Sequence, residues 1–209
     1  MEQAMPRTGL TAEQLKEKAI DHALLHMRQV GFNKVRLSDI AKELGVSHAA
    51  LYSHFADKSA LFDAVCERWL VEFDDEQEKL CTEKKSGDAL QRLTLWFVQL
   101  HKMKIAKVKN DPELFKALNF STEVEKPFVQ KHLATMRRQL GVIVGQAINS
   151  RLIKGPTAGA DKNTDEVVTL LMESTMSFHH PAMVTMYGAT DREKLLKQVL
   201  ETMYQGFAK

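Results

Sequence analysis

The sequence predicts an all-α fold of about nine helices. Apolar residues recur at spacings of three and four over long segments, which is the period of amphipathic helices. Helix-start signals precede several of these segments, including the capping boxes Thr11–Gln14 and Thr190–Glu193 and the pair Asp111-Pro112. No segment shows the alternation of apolar and polar residues that is typical of a β-strand, and no internal repeat is visible.

The first four predicted helices lie in residues 11–81. Helix 1 begins at the Thr11 box and ends at Gly31, and helix 2 ends at Gly45. Glycine suits both ends because it adopts the left-handed conformation without steric cost. Helix 4 is predicted to run to about Leu80. Three polar residues are the predicted N-caps of helices 2, 3 and 4: Ser38, Ser47 and Asp57.

Five further helices are predicted after the polar stretch at 82–87. Pro181 removes a hydrogen bond inside helix 8 and is expected to bend that helix. The predicted boundaries are, in chain order, helix 5 at Asp88–Lys109, helix 6 from the cap Asp111, helix 7 from Pro127 to about Arg151, a loop at 154–163, helix 8 from the cap Thr164, and helix 9 from the Thr190 box.

Residues 31–62 contain the pattern that points to a function. A capped short helix, a glycine turn, a second capped short helix and a longer third helix form the layout of a helix-turn-helix. The second helix of such a motif enters the major groove of DNA. The pattern therefore predicts a DNA-binding segment, although the net charge of +2 is too small to indicate one.

The same residues resemble the N-terminal DNA-binding domain of the TetR family of one-component transcriptional regulators. The resemblance covers about the first third of the chain, and one departure is that Ser38 stands where Thr is commoner. The matching elements, in order, are Gly31-Phe32, Ser38, Ile40-Ala41, Gly45-Val46-Ser47, Leu51-Tyr52-Ser53-His54-Phe55 and Lys58-Ser59-Ala60-Leu61. It implies a helical C-terminal domain that binds a ligand and dimerises.

Two groups of residues are predicted to contact DNA. Residues at the start of a recognition helix meet base edges, which assigns Ser47, His48 and Ala49 to the groove. The resemblance assigns contacts with the DNA backbone to Ser38, Tyr52, His54 and Lys58. In the alternative interpretation, Tyr52 and Phe55 lie in the core and the histidines are ordinary surface residues.

A ligand site is predicted on the inward stripes of helices 5 to 8. Its mixture of apolar residues and imidazoles favours a neutral or weakly anionic aromatic or lipophilic molecule. The alternative is that these side chains are ordinary core residues. The predicted ligand-binding residues are Trp96, Leu100, His101, Phe115, Met136, Met172, Met176 and His179.

The pair His179-His180 before Pro181 leaves three interpretations open. One of the imidazoles, alone or together with His101 or His132, contacts a polar ligand or a metal, or both histidines are structural. Two adjacent histidines face different sides of a helix, which argues against a metal, and no metal is predicted. Cys66 and Cys81 lie outside any zinc spacing and are read as reduced thiols, with a redox-sensing pair as the alternative.

The chain is predicted to be a cytoplasmic regulator rather than an enzyme. No leader, membrane span, P-loop, nucleophile elbow, dinucleotide fingerprint or HExxH motif is visible. The predicted organisation is a helix-turn-helix domain at 11–57, a connecting helix at 58–81 and a helical ligand-binding and dimerisation domain at 82–209.

The resulting prediction is a repressor that a small molecule releases from a palindromic operator. It needs no cofactor, and its partners are double-stranded DNA, a second copy of the chain and an unidentified effector. An activator and a ligand-independent DNA-binding protein remain alternatives. Helices 8 and 9 are the predicted dimer interface, through Val168, Leu171, Leu196, Val199 and Met203.

Overall fold

The computed structural model describes residues 9–82, 88–154 and 160–208, and only the backbone of residues 160–163. Within these ranges every regular element is a helix, which confirms the all-α prediction. No helix in them is both long enough and apolar enough to cross a membrane. The helices are α1 (Ala12–Val30), α2 (Leu37–Glu43), α3 (His48–Tyr52), α4 (Lys58–Thr82), α5 (Ala89–Asn110), α6 (Pro112–Glu123), α7 (Pro127–Asn149), α8 (Ala160–Ser174), α9 (Met176–His179), α10 (Pro181–Met186) and α11 (Glu193–Ala208), with a 3₁₀ turn at Phe32–Lys34.

The helices form two compact units. The first unit comprises the described residues up to Leu70 together with Asp111–Val124, so it contains α6 and the first half of α4. The second unit comprises Val71–Asn110 and the described residues from Glu125 onward. These units differ from the predicted boundaries, which placed α6 in the C-terminal domain and treated α4 as a separate connection.

Four of the predicted helix ends in the first unit are confirmed. Thr11 and Gln14 form a reciprocal capping box, and Gly31 ends α1 at φ +84°. Gly45 follows α2 at φ +65°, in the left-handed region where glycine is favoured. Asp57 accepts the backbone N–H of Ala60 at 2.8 Å at the start of α4.

The predicted cap at Ser38 is wrong. Helix α2 begins at Leu37, with Arg36 in the N-cap position, so Ser38 lies in the first turn and its hydroxyl is 3.4 Å from Asp39 Oδ1. Leu37 is buried, and including it in the helix directs its side chain into the core. Packing therefore placed the helix start one residue before the best capping hydroxyl.

The predicted cap at Asp111 is also wrong in its side-chain role. Asp111 occupies the N-cap position of α6, but its carboxylate makes no capping bond. It accepts two bonds from the guanidinium of Arg28 on α1, at 2.5 and 2.6 Å. Glu113, in the first turn of α6, accepts the backbone N–H of Phe32 at 2.9 Å. These bonds attach α6 to α1 and to the 3₁₀ turn within the first unit.

The core of the second unit is formed by α5, α7, α8 and α11. Trp96 and Phe97 of α5 are almost fully buried, and their rings meet edge to face at 5.1 Å between centroids. The other large, fully buried side chains of this core are Leu93, Leu100, Leu140, Ile143, Leu171, Leu196 and Leu200. The apolar stripes predicted for these helices are therefore confirmed.

Helix 8 is the element whose prediction differs most from the structure. Helix α8 begins by Ala160, so Thr164 lies inside it and is not a cap, and residues 160–163 are helical rather than part of a loop. The remainder of the predicted loop at 155–159 lies outside the described residues. After Thr175 the chain forms α9 and α10 as separate short helices, which raises the helix count above nine.

Pro181 and the Thr190 box explain the remaining differences. Pro181 is the first residue of α10, and His180 before it is extended (φ −66°, ψ 128°). The predicted helix is therefore interrupted at this point instead of bent. The capping box predicted at Thr190 and Glu193 is wrong, because the Thr190 hydroxyl donates to the Tyr187 carbonyl oxygen instead. Asp191 instead accepts the N–H of Glu193, where α11 begins.

Candidate functional site

Helix α3 is fixed to the first unit along one side. Ser47 caps it by accepting the backbone N–H of Ala50 at 3.1 Å, as predicted. Val46 N–H donates to the Ala41 carbonyl oxygen at 3.0 Å and closes the turn after α2. Leu51 on α3 and Phe55 just after it are fully buried in the core. The opposite side of this short helix is therefore left to solvent.

The exposed side of α3 carries most of the residues that were predicted to meet DNA. Ser47, His48, Ala49 and Tyr52 are all exposed, and His54 is half-buried. The rings of His48 and Tyr52 lie 4.2 Å apart between centroids. The alternative interpretation placed both Tyr52 and Phe55 in the core. It is wrong for Tyr52, which is 40% exposed, and correct for Phe55, which is buried.

Lys58 lies at the first residue of α4, but its ammonium group is directed toward the 3₁₀ turn. Its Nζ donates to the Asn33 carbonyl oxygen at 2.8 Å and lies 5.4 Å from the centroids of both Phe32 and Phe62. Partial burial lowers the pKa of this ammonium group below its usual value. This bond uses one of the three N–H donors of the ammonium group.

A contact between α1 and α2 was not anticipated. Glu43 at the end of α2 accepts bonds from His22 Nδ1 at 2.8 Å and from His26 Nε2 at 2.9 Å. The hydrogen bond from His22 is the main cause that lowers the pKa of the Glu43 carboxyl. The sequence signal was available, because residues four apart lie on the same face of a helix. These bonds fix α2, and with it the turn before α3, against α1.

The residues predicted to bind a ligand do not form one group. Phe115 belongs to the first unit, whereas the other seven belong to the second. Trp96, Leu100, Met136 and Met172 pack in the core of the second unit. Met176 and His179 are half-buried.

The buried His101 has a structural role. Its Nδ1 donates to the Phe178 carbonyl oxygen at 2.8 Å, and its Nε2 accepts the backbone N–H of Arg192 at 3.0 Å. Both ring nitrogens are therefore used in holding the end of α9 and the start of α11. This arrangement favours the structural interpretation for His101.

His179 lies in a different environment from His101. Its Nε2 is 3.4 Å from the Met172 carbonyl oxygen, and its ring is 6.5 Å from that of Phe97. Burial, and then the positive charge of Lys104, lower the pKa of His179 to about 3. Its imidazole is therefore neutral at neutral pH. No group of three possible ligands among the described residues is arranged to hold a metal ion.

The sequence analysis missed a buried group of polar residues in the second unit. Asp74, Lys104 and His132 come from α4, α5 and α7, and His132 Nδ1 donates to Asp74 Oδ1 at 2.7 Å. Lys104 is 4% exposed and His132 is 6% exposed. The signal for Lys104 was its position one turn after Leu100 on the apolar stripe of α5.

Two glutamines form a second buried polar group beside Trp96. Gln139 accepts the indole N–H of Trp96 at 3.2 Å and donates to the Asp74 carbonyl oxygen at 2.8 Å. Gln77 donates to the Trp96 carbonyl oxygen at 2.9 Å, and both glutamines are fully buried. Trp96, which was predicted to bind a ligand, is thus held in place by hydrogen bonds at its ring and at its backbone.

A surface groove of about 540 Å³ lies between α5 and α11. None of the predicted ligand-binding residues lines it. Its apolar wall includes Leu95, Val98 and Tyr204, and the paired charges Lys102 and Glu193 lie at its edge. It is a concave surface of the second unit that lies outside the predicted stripes.

The predicted dimer interface requires a correction. Val168, Leu171 and Leu196 are buried in the core of the single chain, because the inward faces of α8 and α11 pack on α5 and α7. Val199 and Met203 are partly buried against the same core. The apolar residues that α8 and α11 do expose are Leu170 and Leu195, at 38% and 45%.

Cys66 and Cys81 are free and buried. Burial raises the pKa of the Cys66 thiol to about 12 and that of the Cys81 thiol to about 11. Both therefore remain protonated at neutral pH, which is the unreactive form of a thiol. This supports the interpretation of both as reduced thiols.

Comparison with known proteins identifies both parts of the chain. Residues 19–65 match the bacterial regulatory proteins of the tetR family, and residues 89–200 match the tetracyclin repressor-like C-terminal domain. The chain is 38% identical over 61 residues to the HTH-type transcriptional regulator AcrR of Shigella flexneri, which covers 29% of this chain and 28% of that protein. It is 31% identical over 77 residues to the HTH-type transcriptional repressor ComR of Escherichia coli, which covers 36% and 37%. The matched regions thus span about a third or less of the curated relatives.

Solved structures resemble the chain over most of its length. A Rhodococcus protein of unknown function aligns with a TM-score of 0.65 at 21% identity, covering 93% of this chain and 96% of that one. SmeT, the repressor of a Stenotrophomonas maltophilia multidrug efflux pump, aligns with a TM-score of 0.64 at 18% identity, covering 97% and 92%. The regulator FadR of Bacillus subtilis in complex with stearoyl-CoA aligns with a TM-score of 0.57 at 20% identity, covering 91% and 98%. At these identities the similarity shows the fold.

Proposed function

Because the chain belongs to the TetR family of bacterial regulatory proteins, we propose that it is a transcriptional repressor that releases its operator when a small molecule binds. The observation that carries the DNA-binding part is the exposed side of α3, with Ser47, His48, Ala49 and Tyr52 accessible while Leu51 is buried. Such a protein acts in the cytoplasm, where its DNA is found. The curated relative ComR is itself named a repressor.

The residues divide into two roles on DNA. Ser47, His48 and Ala49 lie at the start of α3 and meet base edges in the major groove, where the methyl group of Ala49 suits a thymine methyl. Tyr52, His54 and Lys58 bind phosphates, together with Ser38 on α2. Lys58 lies at the first residue of α4, where the helix dipole also favours an anion.

Operator specificity requires two copies of the chain. Five residues of α3 offer too few base contacts for specific affinity, and a twofold pair places two such helices in successive major grooves of a palindrome. We assign the dimer contact to the outer faces of α8 and α11, around Leu170 and Leu195, in place of the buried residues first predicted. Leu195→Glu should give a monomer in sedimentation, whereas Leu133→Glu, at a similarly exposed position on α7, should remain a dimer.

The second unit is the proposed effector domain. Its core combines Trp96, Met136 and Met172 with buried polar groups, which suits a lipophilic molecule that carries a polar end. Two proteins of the same fold were solved with such molecules, SmeT with triclosan and FadR with stearoyl-CoA. For the effector to release DNA, it must bind the non-binding conformation more tightly than the binding one.

Operator binding tests the DNA-binding part. The operator is selected from random duplexes, and affinity is measured by fluorescence anisotropy at several salt concentrations. Tyr52→Phe and Lys58→Ala should weaken binding while the fold is preserved, and Lys58→Ala should reduce the salt slope by about one unit. His48→Ala should instead change the preferred sequence. Lys194→Ala, an exposed lysine of α11, is the matched control. Unchanged affinity and sequence preference in all three variants would refute the assignment of α3.

A reporter gene under the selected operator tests the direction of regulation. Repression should be relieved by deletion of the regulator, because bound protein blocks transcription. Lower expression after deletion would instead identify an activator. If no sequence is enriched in the selection, the protein is a DNA-binding protein without an operator.

A further inference from the structure

A pocket of about 290 Å³ lies within the first unit, beside the start of α4. Three elements form it: the 3₁₀ turn, the first turns of α4 and the second half of α6. It contains no residue of α3, so it is distinct from the surface proposed to read bases. We call it the α4–α6 pocket. Its apolar walls are Phe32, Phe62, Ala117 and Phe120, and Lys58 lies among them.

Hydrogen bonds between the three elements hold the walls of the α4–α6 pocket in place. Glu113 of α6 accepts the backbone N–H of Phe32 at 2.9 Å. Lys58 of α4 donates to the Asn33 carbonyl oxygen of the 3₁₀ turn at 2.8 Å. The rings of Phe32 and Phe62 lie 4.4 Å apart between centroids. A ligand therefore meets a largely preformed surface, which reduces the ordering cost of binding.

Lys58 gives the α4–α6 pocket a positive charge that no carboxylate neutralises among the described residues. Its Nζ bonds the neutral carbonyl oxygen of Asn33. Its other contacts are the faces of Phe32 and Phe62, whose ring centroids are both 5.4 Å away. An ammonium group has three N–H donors, so two remain for further acceptors. An anion in the pocket therefore finds an ion-pair partner that still has hydrogen bonds to donate.

Phe120 forms an exposed aromatic wall of the same pocket. It is 55% exposed, whereas Phe62 and Ala117, which also line the pocket, are buried. A flat ring placed against Phe120 would remove apolar surface of both partners from water and gain a contact between rings. The α4–α6 pocket therefore combines an unpaired cation with an exposed aromatic surface.

The lining also limits the charge that a ligand can carry. Asp63 belongs to the same lining and follows Lys58 by five positions on α4, which is about 7.5 Å along the helix axis. A single carboxylate placed at Lys58 keeps its charge at the far end from this acid. A phosphate dianion or a dicarboxylate would bring additional negative charge into the apolar part of the pocket or toward Asp63. The lining therefore favours a monoanion with a flat apolar body.

We propose that the α4–α6 pocket binds an aromatic monocarboxylic acid, with its carboxylate at the Lys58 ammonium group and its ring against Phe120. This site belongs to the first unit and is additional to the proposed effector domain. The proposed function also assigns Lys58 to a DNA phosphate. A consequence that rests on that function is that the bound acid and the operator compete for one ammonium group.

Heteronuclear NMR of the full chain locates and measures the binding. The acid is 2-naphthoate, and its neutral match is 2-naphthylmethanol, which has nearly the same shape. Both are titrated at pH 7 while the amide signals of Phe32, Ser59 and Ser121 in the pocket are followed. The acid should shift these signals in a saturable way. It should bind about tenfold more tightly than the alcohol, because it adds a charged hydrogen bond to Lys58.

Two variants test the residues that carry the proposal. Lys58→Met should bind acid and alcohol equally, because it removes the charge and keeps a side chain of similar length. Lys58→Gln replaces this variant if urea unfolding shows that it is not folded. Phe120→Ala should weaken the binding of both molecules by about threefold to tenfold, because both lose the contact between rings. Leu25→Ala, at another exposed apolar position of the first unit, is the matched control and should bind both like the wild-type protein.

Four results would overturn the proposal. The acid causes no saturable shift of the pocket signals, or the wild-type protein binds acid and alcohol equally. Either the Lys58 variant or the Phe120 variant binds the acid as tightly as the wild-type protein. The fourth is a change in the sedimentation of Phe120→Ala, which would show that a second copy of the chain covers this surface.

Operator binding separates the pocket from the function on which the competition rests. At constant ionic strength, an acid concentration above the wild-type Kd should lower operator affinity more in the wild-type and Leu25→Ala proteins than in Phe120→Ala. Without acid, all three should bind the operator equally. If the acid binds the pocket but leaves operator affinity unchanged, the α4–α6 pocket is confirmed and the assignment of Lys58 to a phosphate fails. If the acid lowers operator affinity equally in all three, release occurs through the second unit, and the competition at Lys58 is wrong.

Discussion

The two units place polar side chains in opposite ways. In the first unit, the side chains proposed to act on DNA are exposed on α3, which Leu51 and Phe55 hold from beneath. In the second unit, the most unusual polar side chains, Lys104 and His132, are buried, and the His132 ring lies 6.1 Å from that of Phe73. An exposed site needs only a rigid support, whereas a buried one must compensate the loss of water with internal partners. The two sites are therefore expected to respond differently to mutation and to pH.

The largest expected effect tests whether the two units unfold separately. Leu51→Ala in the first unit and Leu140→Ala in the second each remove a fully buried side chain and should cost about 2–5 kcal/mol of unfolding free energy. Hydrogen exchange should show loss of protection mainly in the described residues up to Leu70 for Leu51→Ala, and in α5, α7 and α11 for Leu140→Ala.

The exposed position Ala49→Ser is the control for the core variants, and its unfolding free energy should change by less than about 0.5 kcal/mol. If both core variants reduce protection equally in both units, the chain unfolds as one cooperative unit. The comparison between the units would then describe packing only.

Local signals explain why the first unit was the more predictable. Caps and glycine turns act over three or four residues, so Thr11, Ser47, Gly45 and Asp57 could be assigned from the sequence. The errors there arose where a distant residue competed, as when Arg28 took the carboxylate of Asp111. Such a partner, 83 positions away along the chain, leaves no local signal.

The second unit depended on contacts that periodicity cannot specify. The apolar stripes of α5 and α7 were predicted, but periodicity does not show which helix faces stay exposed once the helices have packed. Leu196 was therefore assigned to a dimer contact, although it lies in the core. The proline signal at Pro181 was recognised, yet its outcome was a break with two short helices. Lys104 was missed because a lysine on an apolar stripe is usually read as the edge of a solvated face.

The second-largest expected effect concerns how the stability of the second unit depends on pH. His179 has a pKa of about 3 in the folded chain, below the ordinary histidine value of 6.5, so the unfolded chain takes up a proton first as the pH falls. The contribution of His179 to the free energy of unfolding is therefore constant above about pH 6.5. Below that pH it becomes progressively more destabilising. His132, whose pKa is also lowered, acts in the same direction.

Urea unfolding at pH 7 and pH 5 measures this contribution. When the pH is lowered from 7 to 5, the unfolding free energy of His179→Gln should fall by about 1–2 kcal/mol less than that of the wild-type protein, because glutamine does not titrate. Ala49→Gln on the exposed side of α3 introduces the same side chain without removing a titratable one, so it is the control and should leave the wild-type pH dependence unchanged. If His179→Gln and wild type have the same slope, the environment of His179 does not exclude a proton, and the comparison with the exposed site fails.

The smallest expected effect tests local capping inside the first unit. Ser47 accepts the Ala50 N–H at the start of α3, so Ser47→Ala should cost about 1 kcal/mol of unfolding free energy. Ser38 has no such bond, because α2 begins at Leu37, and Ser38→Ala should change stability by less than about 0.3 kcal/mol. Both residues are exposed serines within ten positions of one another, so the same substitution serves as a matched pair. Circular dichroism during urea unfolding gives both values. A larger loss for Ser38→Ala than for Ser47→Ala would mean that α2 begins at its capping hydroxyl after all and that packing of Leu37 does not set the start of this helix.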